Sequence, residues 1–229
     1  MRRGSVAGFL LLAVAALLPA CRNHPPNIAL GTSEEGVLRH GGKDRRYLLY
    51  RSPSLVLRRG KVPLLLALHG RAGDAESMER LTAYGFNALA DRDGFLVVYP
   101  EGIGRRWNDG RTAKDPAADK KDVDDVGFLV ALIDRIVENL PVDPKRVFVT
   151  GMSNGGFMSH RLAVERPDRI AGAAPVGAAL QETLLLHRGP KTPVPVLMIG
   201  GTDDPLVPWE GGSVGVLFIR RGKILSGEE

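Results

Sequence analysis

Gly151-Met152-Ser153-Asn154-Gly155-Gly156 sets a serine between glycines, directly after the apolar run 146–150 and before Phe157, Leu162 and Ala163, which recur at helical spacing. A strand that turns sharply into a helix at G-x-S-x-G lifts the serine hydroxyl above the sheet. The crowded backbone of such a turn collides with larger side chains at the flanking positions, which is why they are glycine. The chemistry this pattern suits is attack by the Ser153 hydroxyl on an acyl carbon, with backbone N–H groups holding the oxyanion. The N–H of Asn154 is one expected donor. A second is expected in the loop after an earlier strand, where His69-Gly70-Arg71-Ala72-Gly73 follows the run 62–68; the N–H of Arg71 fits, with Gly70 permitting close approach.

Such a serine needs an acid downstream of it to orient a base. Gly200-Gly201-Thr202-Asp203-Asp204-Pro205 follows the last clear apolar run, and Asp204 is favoured over Asp203, the other aspartate serving the turn. Trp107 lies in a long loop rich in Gly, Asp and Arg; it either stacks on an aromatic acyl group or a sugar, or anchors the loop. Asp124 and Asp125 read as helix caps and loop ties.

The elements that must position these residues alternate along the chain. Strands are expected at 46–51, 62–68, 95–99, 146–150, 170–176 and 194–199, several of them continuously apolar, as in a parallel sheet covered on both faces. Between them, Val126, Leu129, Val130, Ile133, Ile136, Val137 and Leu140 form a helical stripe behind Asp124 that Pro141 ends; weaker helices follow Asp74 and Ser153. The expected fold class is therefore α/β, a βαβ series with ligands collecting at the C-terminal ends of the strands.

Seven motifs then carry a family resemblance. Leu68-His69-Gly70 with Gly73-Asp74, Tyr99-Pro100-Glu101-Gly102, Trp107-Asn108-Asp109-Gly110-Arg111, Asp124-Asp125-Val126-Gly127-Phe128, Val142-Asp143-Pro144-Lys145-Arg146-Val147, the serine motif and Gly201-Thr202-Asp203-Asp204-Pro205 resemble the polyhydroxybutyrate depolymerase-like and feruloyl-esterase-like group of α/β hydrolases. The resemblance spans about residues 47–212. It implies an α/β-hydrolase sheet, a serine esterase acting on carboxylic esters, an ester substrate that can be polymeric, Ser153 as nucleophile, Asp204 as acid, and no metal or organic cofactor. A peptidase or lactonase on the same fold, and a surface lipoprotein that binds aromatic or carbohydrate ligands without turnover, stay open beside it.

The base is the gap. Of five histidines, His24 and His40 lie in the lead-in and His69 in the oxyanion loop, while His160 is seven residues past Ser153, roughly 10 Å down the helix axis. His187 precedes the acid and breaks the order Ser, Asp, His. The family's histidine follows one more strand, whereas here Leu225-Ser226 before Glu228-Glu229 reads as the start of a helix. The expectation is a chain cut short of its last strand, histidine loop and closing helix, rather than a complete non-hydrolytic variant. A sheet so shortened would expose an edge.

Arg2-Arg3 precede an apolar run at 6–18, too short to span a membrane and suited to a signal peptide over residues 1–20. Leu18-Pro19-Ala20-Cys21 resembles a bacterial lipobox, although Pro19 departs from the pattern, and Cys21 is the only cysteine, so it has no partner within the chain for a disulfide. A lipid anchor at Cys21 is favoured over plain secretion. Residues 21–42 read as a tether or irregular lead-in strand, and 43–229 as one esterase domain, incomplete at its C-terminus. The net charge of +5, to which Arg2 and Arg3 contribute, is too weak a basic excess to argue for nucleic acid, and with 44% hydrophobic residues the chain is expected to form one globular domain that binds none. Arg105, Arg106, Arg111, Lys114, Lys120 and Lys121 are interleaved with Asp109, Asp115, Asp119 and Asp122, as in a solvated loop.

Overall fold

A computed structural model describes residues 31–57, 59–111, 123–187, 192–216 and 219–227. The leader, Cys21, His24 and the charged stretch 112–122 lie outside the described residues. The strands are β1 (Ser33–His40), β2 (Lys43–Arg51), β3 (Val62–Leu68), β4 (Leu96–Pro100), β5 (Val142–Met152) and β6 (Gly172–Val176), in the spatial order β1-β2-β4-β3-β5-β6. From β4 to β6 the pairing is parallel, with β3 held between β4 and β5. The continuous apolarity of 62–68 follows from this place, since both of its faces are covered.

Two expectations change. Within 21–42, residues 33–40 form a regular strand, turned by Gly41-Gly42 at φ 56° and 73°, the left-handed pair that a two-residue hairpin demands. Arg51–Glu34, Arg46–Glu35 and Arg39–Asp44 ion pairs span the hairpin, and the strand is largely polar, so hydrophobic patterning alone did not reveal it. Segment 194–199 meets the sheet as isolated parallel bridges to β6, seated by Ala173 N–H to Pro195 O (2.9 Å), Leu197 N–H to Ala173 O (2.9 Å), Ile199 N–H to Pro175 O (3.0 Å) and Gly177 N–H to Ile199 O (2.8 Å). Its outward side leaves Val196, Leu197 and Ile199 47%, 64% and 49% exposed. Beyond these, β7 (Gly212–Val216) and β8 (Ile219–Ile224) make a separate antiparallel pair, and the Glu228-Glu229 turn of the expected helix start lies outside the described residues. Leu225 N–H then bonds Leu180 O, and Gly227 N–H bonds Trp209 O.

The helices are α1 (Ala75–Leu81), α2 (Gly85–Asp93), α3 (Asp125–Asn139), α4 (Asn154–Glu165) and α5 (Glu182–His187). Asp74 and Ser77 cap α1 reciprocally, and the Asp124 carboxylate accepts Gly127 N–H at 2.8 Å to start α3. On one face of the sheet Leu64, Leu66, Leu68, Val147 and Val149 pack against Phe128, Leu129, Leu132 and Ile133 of α3 and Met158 of α4. On the other, Tyr50, Ala67, Val97 and Tyr99 pack against Ala75, Met78 and Ala90. Tyr99 still finds a partner for its hydroxyl, which donates to Asn87 Oδ1 at 2.7 Å.

A buried ion pair fastens α3 to the sheet. Arg45 Nη2 donates to Asp125 Oδ1 at 2.6 Å, Asp125 Oδ2 accepts Asn108 N–H at 2.7 Å, and the guanidinium lies 3.8 Å from the centre of the Phe128 ring. Removing one partner strands the other charge away from water. Asp125→Ala is therefore expected to lower stability by about 3–5 kcal/mol, read as a fall in the urea midpoint; a midpoint equal to wild type would show that the pair holds nothing together.

Candidate active site

Ser153 joins β5 to α4 at φ 51°, ψ −113°, a conformation that side-chain-bearing residues rarely hold. It is pinned from both sides, its N–H donating to Val176 O at 2.8 Å and its carbonyl accepting Phe157 N–H at 2.9 Å. The flanking glycines are required by space. A Cβ on Gly155 would lie 2.2 Å from Leu68 O, one on Gly151 2.5 Å from the Gly155 carbonyl, and one on Gly156 2.8 Å from Ala178 Cβ. The first turn of α4 thus rests on the end of β3, and its leading N–H groups, Asn154 among them, have no acceptor within the helix.

The expected oxyanion loop lies beside the serine: a Cβ on Gly70 would be 3.3 Å from Met152 O and 3.9 Å from Ser153 Cβ. Its shape is fixed by hydrogen bonds. Gly70 O accepts from His69 Nδ1 at 2.7 Å and from Gly73 N–H at 3.0 Å, and Ala72 N–H reaches Arg105 O at 2.8 Å, both of these last residues at positive φ. His69 Nε2 accepts Gly102 N–H at 2.9 Å. With one nitrogen donating and the other accepting, His69 is a neutral imidazole in a defined tautomer, and burial pushes its pKa down. It has no nitrogen left to serve Ser153.

Trp107 is not placed to stack on a substrate. Its ring is 4% exposed, its indole N–H donates to His69 O at 2.9 Å, and it lies over the His69 ring at 5.0 Å; of the two readings of this residue, the geometry is that of an anchor. Its main chain meets Asn154: Trp107 N–H donates to Asn154 Oδ1 at 2.7 Å, and Asn154 Nδ2 donates to Trp107 O at 3.1 Å and to Asp109 Oδ2 at 2.6 Å. Arg111 doubly engages the same carboxylate through Nε (3.0 Å) and Nη2 (2.5 Å) while lying 3.7 Å above Phe157. Gln181 Nε2 closes the network on Asp109 O at 2.7 Å and Phe157 O at 2.8 Å. Sequence reading missed Asp109 as a buried acid and Gln181 altogether; the run Trp107-Asn108-Asp109-Gly110-Arg111 was the available signal for the first, and Gln181 carried none.

Segment 194–199 delivers the acidic turn to the end of the sheet where Ser153 sits, since Ile199 O accepts Gly177 N–H one residue after the Val176 carbonyl that holds Ser153. Asp204 is half-buried there, lining a small groove with Gly177, Met198, Val207 and Trp209, and its Oδ1 accepts Leu206 N–H (2.8 Å) and Val207 N–H (3.1 Å). Asp203 is exposed. Of the other histidines, His40 pairs with Asp124 at 3.1 Å, and His160 is a buried residue of α4 facing the Ala178 backbone. His187 ends α5. Among the histidines whose side chains are described, none is hydrogen-bonded to Ser153.

Burial lowers the His160 pKa from 6.5 to about 4. Between those values the unfolded chain takes up a proton that the folded chain refuses, so this contribution is complete above about pH 6.5 and is lost as the pH falls toward 4, by about 3 kcal/mol in all. His160→Gln should lose less stability than wild type between pH 7 and 4.5 in urea titrations. Parallel losses in the two proteins would refute the assignment.

A family model described as esterase PHB depolymerase matches residues 45–183. The chain is 40% identical over 202 residues to NocK of Nocardia uniformis subsp. tsuyamanensis, covering 87% of this chain and 56% of that one. It is 33% identical over 156 residues to feruloyl esterase B of Piromyces equi, covering 66% and 27%. Among solved structures, that of a thermostable esterase superposes with a TM-score of 0.58 at 18% identity, over 78% of this chain and 48% of that one, a likeness of fold. The chain thus spans little more than half of NocK and about a quarter of the feruloyl esterase. The matched stretch holds the glycine elbow, the Gly70 loop and the Asn154 network together, and the chain belongs to the esterase PHB depolymerase family, with the α/β-hydrolase fold.

Proposed function

We propose that this domain hydrolyses carboxylic esters through Ser153. The observation that carries the reading is the strained Ser153 backbone, at φ 51°, set between the Gly70 loop and the N-terminus of α4. In the proposed reaction the Ser153 hydroxyl attacks the ester carbonyl, and the N–H groups of Arg71 and Asn154 receive the oxyanion. The alcohol leaves, and water releases the acid from the acyl-serine. A histidine takes and returns the proton while Asp204 holds its ring. That histidine is not among those whose side chains are described.

The ester class is polyhydroxyalkanoate, feruloyl or acetyl, in keeping with family membership and with the feruloyl esterase relative. Export rests on Arg2-Arg3 with the apolar run at 6–18, and membrane attachment on Cys21.

A fluorophosphonate probe is expected to label the full-length protein once, and Ser153→Ala is expected to abolish labelling and the hydrolysis of p-nitrophenyl acetate. Undiminished turnover in that variant would remove Ser153 from the mechanism; a wild-type protein that never labels would favour a binding protein built on the same cleft. In a bacterial host, Cys21→Ser is expected to stop palmitate incorporation and release the protein from the membrane fraction. Equal incorporation would place the anchor elsewhere.

A further inference from the structure

Trp107 sits at the crossing of two hydrogen-bond paths, each of which ends at one proposed oxyanion donor. We infer that it is a positioning residue that couples the two halves of the oxyanion hole, an inference that rests on the ester-hydrolase reading above. One path is short. The Trp107 main chain grips both ends of the Asn154 side-chain amide, at 2.7 Å and 3.1 Å, and the main-chain N–H of Asn154 is the donor at the head of α4. The other runs through His69: the indole N–H holds the His69 carbonyl at 2.9 Å, and His69 Nδ1 holds Gly70 O at 2.7 Å. The Gly70 carbonyl and the Arg71 N–H belong to one planar peptide unit, so fixing the first sets the direction of the second.

Water does not stand in for these bonds when they are lost, because His69, Trp107 and Asn154 are only 1%, 4% and 6% exposed. The arrangement also explains why the position carries an indole. A phenyl ring would satisfy the packing against His69, but it has no N–H for the His69 carbonyl. Asp109 gives Asn154 a second hold at 2.6 Å, and Arg111 neutralises the carboxylate, so the side chain facing Trp107 has little freedom to turn away.

The test compares Trp107→Phe, Asn154→Ala and the double variant in the full-length protein, using the fluorophosphonate labelling rate and p-nitrophenyl butyrate hydrolysis. Misalignment of the donors should slow both reactions about 10- to 100-fold, with KM within about twofold of wild type, and the double variant should be little slower than the slower single one. Rates that match wild type per folded molecule would reduce Trp107 to packing and overturn the inference. A rise in KM confined to aromatic esters would return it to substrate contact, and would also overturn it. A readout independent of turnover uses the fact that the chain has two tryptophans, so its indole N–H spectrum holds two signals, assigned with Trp209→Phe. Asn154→Ala should move the Trp107 indole signal and the Arg71 amide signal, although Asn154 lies on the other path. A wild-type protein inert to the probe defeats the esterase reading, whereas an Arg71 amide unmoved by both substitutions defeats the coupling.

Discussion

The backbone of β3 at Leu68 and that of α4 at Gly155 approach so closely that no side chain fits between them. The geometry of the site descends from this contact. It places the helix N-terminus over the strand end, which forces the β5–α4 connection through a turn too tight for ordinary φ, and it leaves Ser153 as the residue at the apex. Glycine at 151, 155 and 156 is the sequence's answer to a problem of space, and the direction of the serine hydroxyl is its by-product.

Around that contact the protein uses one loop, 101–111, as a fastening. It meets the sheet through His69 and Gly102, α4 through Asn154 and Asp109, and α3 through Asn108 and Asp125. Nearly every polar group involved is buried and partnered, so the loop has the rigidity of a core element although it has no regular structure. The loop beside Ser153 is therefore part of the scaffold.

What was legible in the sequence was whatever a short stretch of chain decides for itself. The run 62–68 announces a doubly covered strand, Asp124 and Pro141 bracket α3, and the glycine pattern locates the elbow. What was not legible depends on partners far along the chain. β1 is polar enough to pass for a tether, because what it pairs with is β2, across the Gly41-Gly42 turn, with charged side chains meeting over the hairpin. The burial of Trp107 is decided by His69 and Asn154, residues 38 and 47 positions away, and Gln181 joins Asp109 across 72. The pairing of β7 with β8, and the bond from Leu225 N–H to Leu180 O, likewise join stretches that no local pattern links.

The positive φ of Ser153 has an energetic meaning as well as a geometric one. Holding a non-glycine residue there costs on the order of 1–3 kcal/mol, a sizeable share of the margin that keeps a domain folded. Glycine at 153 would relieve that strain and remove the hydroxyl, so the stability of the fold and the presence of a hydroxyl at the turn pull this one position in opposite directions.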